Sequence, residues 1–304
     1  MTQQNSPGSM PDGTAALDGS PVKKSSYLWL DSFLRIIRSK TSLLGLCIIV
    51  LLIITAILAP IITSHSPTDQ SIINRYQAPS SEHWLGTDEL GRDIYSRIIY
   101  GTRISIQIGV IAVGISLIIG VLLGAVAGYF GRWIDQIIMR IIDIMMAFPS
   151  ILLAIALVSV LGPNLRNAMI AVGIVGIPQF ARIVRSAVLS VKETEFIEAA
   201  RAIGAKHGRI LMQHVLPNCV APIIVQATLS IGTAILDAAG LSFLGLGAQP
   251  PTPEWGAMLS DGRSALQNAP WVATFPGIAI FLVVLGFNMF GDGLRDALDP
   301  RLKT

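Results

Sequence analysis

"ISIQIGVIAVGISLIIGVLLGAVAGYF", residues 104–130, is the stretch whose reading decides the fold class. It carries no charged side chain between Arg103 and Arg132. A helix that crosses a bilayer needs about 20 consecutive, mostly apolar residues, so this stretch predicts a membrane-spanning helix. Gly120, Gly124 and Gly128 recur in it at every fourth position. On a helix they form one smooth stripe. In lipid, helices associate through close backbone approach at small residues, so the stripe is predicted to face another helix.

Five further stretches read the same way. They are "LLGLCIIVLLIITAILAPII" (43–62), "IMMAFPSILLAIALVSVLG" (144–162), "NAMIAVGIVGIPQFA" (167–181), "VAPIIVQATLSIGTAILDAAGLSFLGLG" (220–247) and "WVATFPGIAIFLVVLGFNMF" (271–290). The expected fold is therefore an all-α integral membrane protein with six transmembrane helices. Pro149, Pro178, Pro222 and Pro276 each lie in or near a span. Each frees a backbone carbonyl that a neighbour must satisfy, which favours a compact bundle. Trp271 at one span entrance, and Tyr129, Phe130 and Trp133 at an exit, fit aromatic anchors at the membrane interface.

Composition agrees. Only 13% of the 304 residues are charged and 52% are hydrophobic, whereas a soluble domain carries about 25% charged residues. So few charges cannot coat a water-facing surface. The net charge of +3, without a basic stripe, gives no argument for nucleic acid, and no nucleic-acid partner is expected.

Lys and Arg accumulate on the cytoplasmic side of membrane proteins. With the N-terminus inside, the inside segments hold 16 of the 22 basic residues and the outside segments 6. Both termini and the segment 182–219 are therefore predicted to be cytoplasmic. The chain divides into a flexible tail (1–30), the first span with an external loop (31–103), a core of five spans (104–290) containing a cytoplasmic loop (182–217), and a cytoplasmic C-terminal tail (291–304). The tail at 1–30 is rich in Ser, Gly and Pro, and the first span is too long for a cleaved signal.

Several chemistries are missing from the sequence. No GxxxxGK[ST] occurs, so ATP binding through a P-loop is not expected. No span carries HExxH, and His65, His83, His207 and His214 all read as loop residues, so an intramembrane Ser–His or metalloprotease site is not expected either. Cys47 and Cys219 fall in or beside apolar spans and suggest no disulfide framework or metal spacing. No catalytic, cofactor or metal site is predicted. Asp237 is the one carboxylate well inside a span. It is either a pathway residue or a structural acid bonded to backbone near Gly232 or Gly240. Asp143 is expected to pair with Arg140, three residues earlier.

"EAARAIGAKHGRILMQHVLPN" (198–218) interrupts the apolar chain. Thr194 suits a helix N-cap with Glu195 in the first turn. Gly204 can take the left-handed conformation that ends a helix, and Pro217 suits the first turn of the next one. The segment is predicted as helix, Gly turn, helix. Ala199 and Ala200 would give a flat docking face, edged by Glu198 and Arg201. A bland amphipathic loop on the membrane surface is the alternative.

This stretch resembles the EAA motif of ABC importer permeases, matched by Glu198, Ala199, Ala200, Gly204, Leu216 and Pro217. The isoleucine usual two residues before the leucine is His214 here. "HWLGTDELGRDIYSRIIYGTRISI" (83–106), "GLSFLGLGAQPPTPEWGAMLSDGR" (240–263) and "GDGLRDALDPRLK" (291–303) look like the C-type membrane subunit of dipeptide/oligopeptide permeases. The resemblance covers roughly residues 30–304. It implies a type I ABC importer permease-like fold in a bacterial cytoplasmic membrane. The helix at Glu198–Gly204 would be a coupling helix on a separate ATPase, which carries the ATP and Mg, and this chain would bind no cofactor. Further implied partners are a second homologous permease, one or two ATPase subunits and an extracytoplasmic substrate-binding protein. Peptides are the implied substrate, with nickel chelates or glutathione as alternatives in the same class. An ion-coupled secondary transporter is the alternative of a different class, and a scaffold or sensor without transport is a further one. "QPPTPEW" (249–255) is stiffened by three prolines. Trp255, Met258 and Leu259 after it are expected to lie in the interface as a short helix, on a surface that the resemblance implies would receive the binding protein; a simple rigid connector is the alternative.

Overall fold

The structure, a computed structural model, describes residues 39–298. The predicted tail at 1–30 and the last six residues lie outside that range. Among the described residues nine longer helices carry the fold: α1 Lys40–Ile62, α2 Ile94–Phe130, α3 Arg132–Met146, α4 Ser150–Leu161, α5 Leu165–Lys192, α6 Glu195–Ala202, α7 Val220–Phe243, α8 Trp255–Gly262 and α9 Trp271–Leu298. A helical run from His207 leads into α7. No strand occurs among the described residues.

Four of the six predicted spans appear as α1, α2, α5 and α9, and the fifth as the run ending in α7; all five are long and apolar enough to cross a membrane. The third predicted span, 144–162, takes another form. The α3 and α4 axes meet at 92° across Ala147–Pro149. α2 and α5 run parallel, Gly120 lying on Phe180 and Gly128 on Val188, so the chain returns across the bundle through this bent pair, which is the sixth span in broken form. The 12 residues of α4 span only about 18 Å. Pro149 cannot continue the α3 hydrogen-bond ladder, and α3 is amphipathic. Trp133, Ile137, Ile141 and Ile144 are exposed on one side of it, while Asp135 and Asp143 face α5. That pattern suits the part of a broken span that lies obliquely at the bundle end, with α4 completing the crossing.

Three helices run past the limits set by composition. The 37 residues of α2 reach about 55 Å and cross the boundary drawn at 103/104. α5 continues beyond 181 to Lys192, and α9 extends past 290 into the predicted C-terminal tail. A hydropathy reading stops where charges enter, but a helix need not stop there if protein receives the charges. At the start of α2 this is what happens. Asp93 caps the helix by accepting from the Ser96 N–H at 2.8 Å. Arg97 is 2% exposed, donates to the Pro67 carbonyl at 3.1 Å and stands 3.5 Å from Asp88, which also holds Arg92 at 2.6 Å.

The core has three principal parts. Midway along the bundle, Ile108, Ala112, Val158, Ala168, Phe180 and Leu241 join α2, α4, α5 and α7. At one end, Ile94, Trp255, Met258 and Val272 gather α2, α8 and α9. At the opposite end, Ala125, Tyr129, Val184, Val188, Ile197 and Ile210 join α2, α5 and α6. α1 is peripheral. It packs on α9 where Gly45 meets the backbone of Gly286 and Phe290, and it leaves Leu51, Ile57 and Ile61 exposed.

Candidate functional site

The end of the bundle that carries α6 is built for attachment. Thr194 begins α6, but its hydroxyl donates back to the Val191 carbonyl at 2.6 Å rather than capping the helix. Glu195 and Glu198 occupy the first turn, where the helix dipole favours acids. At the other end Gly204 has φ +82°. Its N–H bonds to the Arg201 carbonyl at 2.9 Å and that of Ala205 to the Ala200 carbonyl at 3.1 Å. These two bonds form a Schellman stop, which needs a left-handed residue. The expected helix, Gly turn and second helix are all present.

The two faces of α6 differ sharply. Ile197 and Ala200 are buried in the core formed with Tyr129, Val184, Val188 and Ile210. Phe196 is half exposed, Ile203 is 86% exposed, and Glu198, Ala199 and Arg201 are exposed beside them. The expected flat face of Ala199 and Ala200 is therefore corrected. One turn of helix puts neighbouring residues about 100° apart, so Ala199 points out while Ala200 roots the helix. Phe196 and Ile203 escaped the sequence reading. Their signal was present as apolar residues seven apart, on a strip beside the buried positions Ile197 and Ala200.

Below α6 the chain passes through a turn of helix at His207–Arg209, a π turn at Ile210–Val215 and a 3-10 turn at Leu216–Cys219. Pro217 offers no N–H and its ring would crowd the carbonyl four residues back. The wider π turn just before it provides the room. Leu216 is half-buried against the same core, and Pro217 is exposed. His207 and His214 thus lie on helical turns, not in loops as expected, because the helical run reaches back past Pro217. His207 Nδ1 lies 2.9 Å from the Tyr129 hydroxyl. That contact joins the segment after the Gly turn to the end of α2, and Tyr129 is buried rather than acting as an interface anchor.

The glycine stripe lies against α5. A methyl group on Gly120 would stand 2.5 Å from Phe180 Cβ, and one on Gly128 would stand 3.0 Å from Val188 Cβ. Gly124 sits directly on the Ala181 carbonyl. Ser116 on α2 donates to the Gly173 carbonyl on α5 at 2.6 Å. The pair is also tied through α3, where Arg185 meets Asp135 with two bonds of 2.5 and 2.6 Å. Asp143 pairs with Arg182 at 2.7 Å, not with Arg140 as expected. Arg140 shares its helix with Asp143, but α5 brings Arg182 across from a distant part of the sequence.

Asp237 borders a cavity of about 300 Å³ between α2, α5 and α7, together with Ser116, Ser150, Gln179, Ser230 and Thr233. Sequence reasoning found the acid but not the polar ring around it, because those residues come from four helices. A second recess, of about 590 Å³, opens near the α6 end between Ile183, Pro222, Leu229 and Arg295. At the far end, α8 is the expected short helix, but Trp255 and Met258 are buried rather than interfacial. Trp255 Nε1 donates to the Ile98 carbonyl at 3.0 Å. Glu254 caps α8 through the N–H groups of Gly256 and Ala257.

Known proteins share this arrangement. Residues 120–304 match the family model described as the binding-protein-dependent transport system inner membrane component. Residues 28–79 match the N-terminal TM domain of oligopeptide transport permease C. A dipeptide transport system permease protein of Alkalihalophilus pseudofirmus is 60% identical over 94% of this chain and 95% of its own length. Glutathione transport system permease proteins are similar too. That of Pectobacterium atrosepticum is 49% identical over 91% of this chain and 92% of that protein. An Escherichia coli one is 50% identical over 95% and 97%. Among solved structures, the methionine ABC transporter MetNI in an inward-facing conformation has a chain of the same fold, with TM-score 0.57 and 20% identity over 68% of this chain and 98% of that one. The chain therefore belongs to the family of binding-protein-dependent transport system inner membrane components, the multi-pass permease subunits of ABC importers.

Proposed function

We propose that this permease carries dipeptides or short oligopeptides into the cell, and that α6 is the handle by which a separate ATPase drives it. One observation carries the reading. An eight-residue helix is anchored through Ile197 and Ala200 to the ends of α2 and α5, while Phe196, Ala199 and Ile203 form an exposed strip and Glu198 and Arg201 are exposed on the same short helix. An exposed apolar patch with charged edges on a rigid base fits a groove in another protein. Force applied to α6 would pass through Ile197, Ala200 and the Tyr129–His207 contact to the α2–α5 pair. The polar cavity at Asp237, enclosed by that pair and α7, would lie on the path that alternately opens.

In this reading, which the charge bias supports, α6 and both termini would be cytoplasmic and the α8 end would face a substrate-binding protein outside. A second homologous permease would complete the pathway. ATP and Mg would reside on the ATPase chains, consistent with the missing P-loop. The 60% identity to a dipeptide permease favours peptides over glutathione, whose permeases are 49–50% identical.

The test replaces Ile203, which is 86% exposed, with Asp, alone and with Glu198→Lys. The variants should insert and hold the second permease but lose the ATPase on co-purification, and dipeptide uptake should fall with it. Full recovery of the ATPase would overturn the docking role. Dipeptide uptake that is unaffected by deleting this chain, with glutathione uptake abolished, would reassign the substrate.

A further inference from the structure

At the end of the bundle opposite α6, residues 63–93 form a cover between α1 and α2. His83 lies in it, 5% exposed. Its Nδ1 is 2.9 Å from Asp93 Oδ1. Asp93 is itself fixed, because its other oxygen caps α2 through the Ser96 N–H. This places the His83 ring and leaves Nε2 free to ligate. His65, three residues beyond α1, brings its ring centroid to 4.7 Å from that of His83. Glu82 precedes His83 in the chain. One ligand atom from each of His65, Glu82 and His83 lies within 4.8 Å of the others. A small cavity of about 130 Å³ joins them to Asp69 and Asp93.

We propose that His65, Glu82 and His83 form a binding site for a divalent transition-metal ion of the Zn²⁺ class. Two imidazoles and a carboxylate are ligands such ions prefer, and three protein ligands leave a fourth position for water. Metal–ligand bonds of about 2.0–2.2 Å in a tetrahedron put ligand atoms about 3.3 Å apart. Closing from 4.8 Å to that separation falls to the exposed Glu82 and the half-exposed His65, while His83 stays put. The Asp93–His83 contact is the outer-shell support that metal-ligating histidines use to fix ring orientation. Packed histidines alone would account for neither the glutamate at the same point nor the carboxylate behind His83. A bound ion would clip the exit of α1 to the entrance of α2 and hold the cover closed.

The experiment uses the whole complex, purified through a tag without histidine, stripped with EDTA and titrated with Zn²⁺ alone. One Zn²⁺ per copy of this chain should bind and raise the melting midpoint. His65→Ala and Glu82→Gln should each weaken binding at least tenfold, while metal-free melting stays unchanged because both residues lie at the surface. Absence of stoichiometric binding would overturn the proposal, and so would unchanged affinity in the His65→Ala/Glu82→Gln double variant.

Discussion

Gly120→Ala adds one methyl group to a close contact between α2 and α5. That methyl would stand 2.5 Å from Phe180 Cβ and 2.9 Å from the Ile177 carbonyl oxygen. Carbon atoms are comfortable at about 3.5 Å or more, so the helices must part by about 1 Å. Phe180 is 1% exposed and has no room to retreat. A gap of that size forfeits about a quarter to a half of each dispersion contact along the seam. It also stretches the Ser116–Gly173 bond of 2.6 Å. Overpacking of this kind costs about 1–3 kcal/mol, a fall in melting midpoint of roughly 2–12 °C at about 2–4 °C per kcal/mol for a chain of this size. Gly114→Ala is the matched control. It lies in the same helix with nothing within 4 Å of its added methyl, and the better helix propensity of alanine makes it neutral or stabilising by up to about 1 kcal/mol. The assay is thermal unfolding of the detergent-purified complex for both variants. Equal melting midpoints for the two would refute the reasoning, because glycine would then be only a tolerated helix residue here and not the reason the helices approach.

Gly204→Val should cut transport while leaving insertion and chain level intact. No atom lies within 4 Å of an added Cβ, so the effect comes chiefly from a branched residue held at φ +82°. The strain is about 1–2 kcal/mol, Gly204→Asn should be milder, and wild-type uptake by the valine variant would contradict the rigid-stop role. Glu254, 1% exposed, supplies a pH test, because burial pushes its carboxyl above the ordinary glutamate range despite the N–H groups of Gly256 and Ala257. The folded state then holds its proton more tightly than the unfolded chain. The associated stability is complete below the unfolded value of about 4.3 and is lost as pH rises through the higher folded value. Glu254→Gln should therefore melt with a flatter pH profile above pH 4, gaining on wild type as pH rises; parallel profiles would show that Glu254 is not the group responsible.

The sequence by itself determined the class of the molecule. Length and uniformity of apolar runs fix the number of segments that lipid can accept, and the 120/124/128 spacing fixes a smooth helix face. The same holds for the turn at Gly204, where one residue type relieves a local backbone restriction, and for the acid at 237 within an apolar stretch. The tertiary structure decided what each of those faces touches. Ala199 and Ala200 are adjacent in sequence, yet packing against Tyr129 and Val188 buries one and leaves the other exposed. Asp143 is closer in sequence to Arg140, yet helix crossing delivers Arg182 to it. α2 begins at Ile94 rather than 104 because Asp88 and the Pro67 carbonyl receive Arg97. The polar ring around Asp237 and the meeting of His65 with His83 share this origin. Hydropathy and helical period act over a few neighbouring residues, whereas these contacts join side chains from separate segments and exist only once the helices have packed.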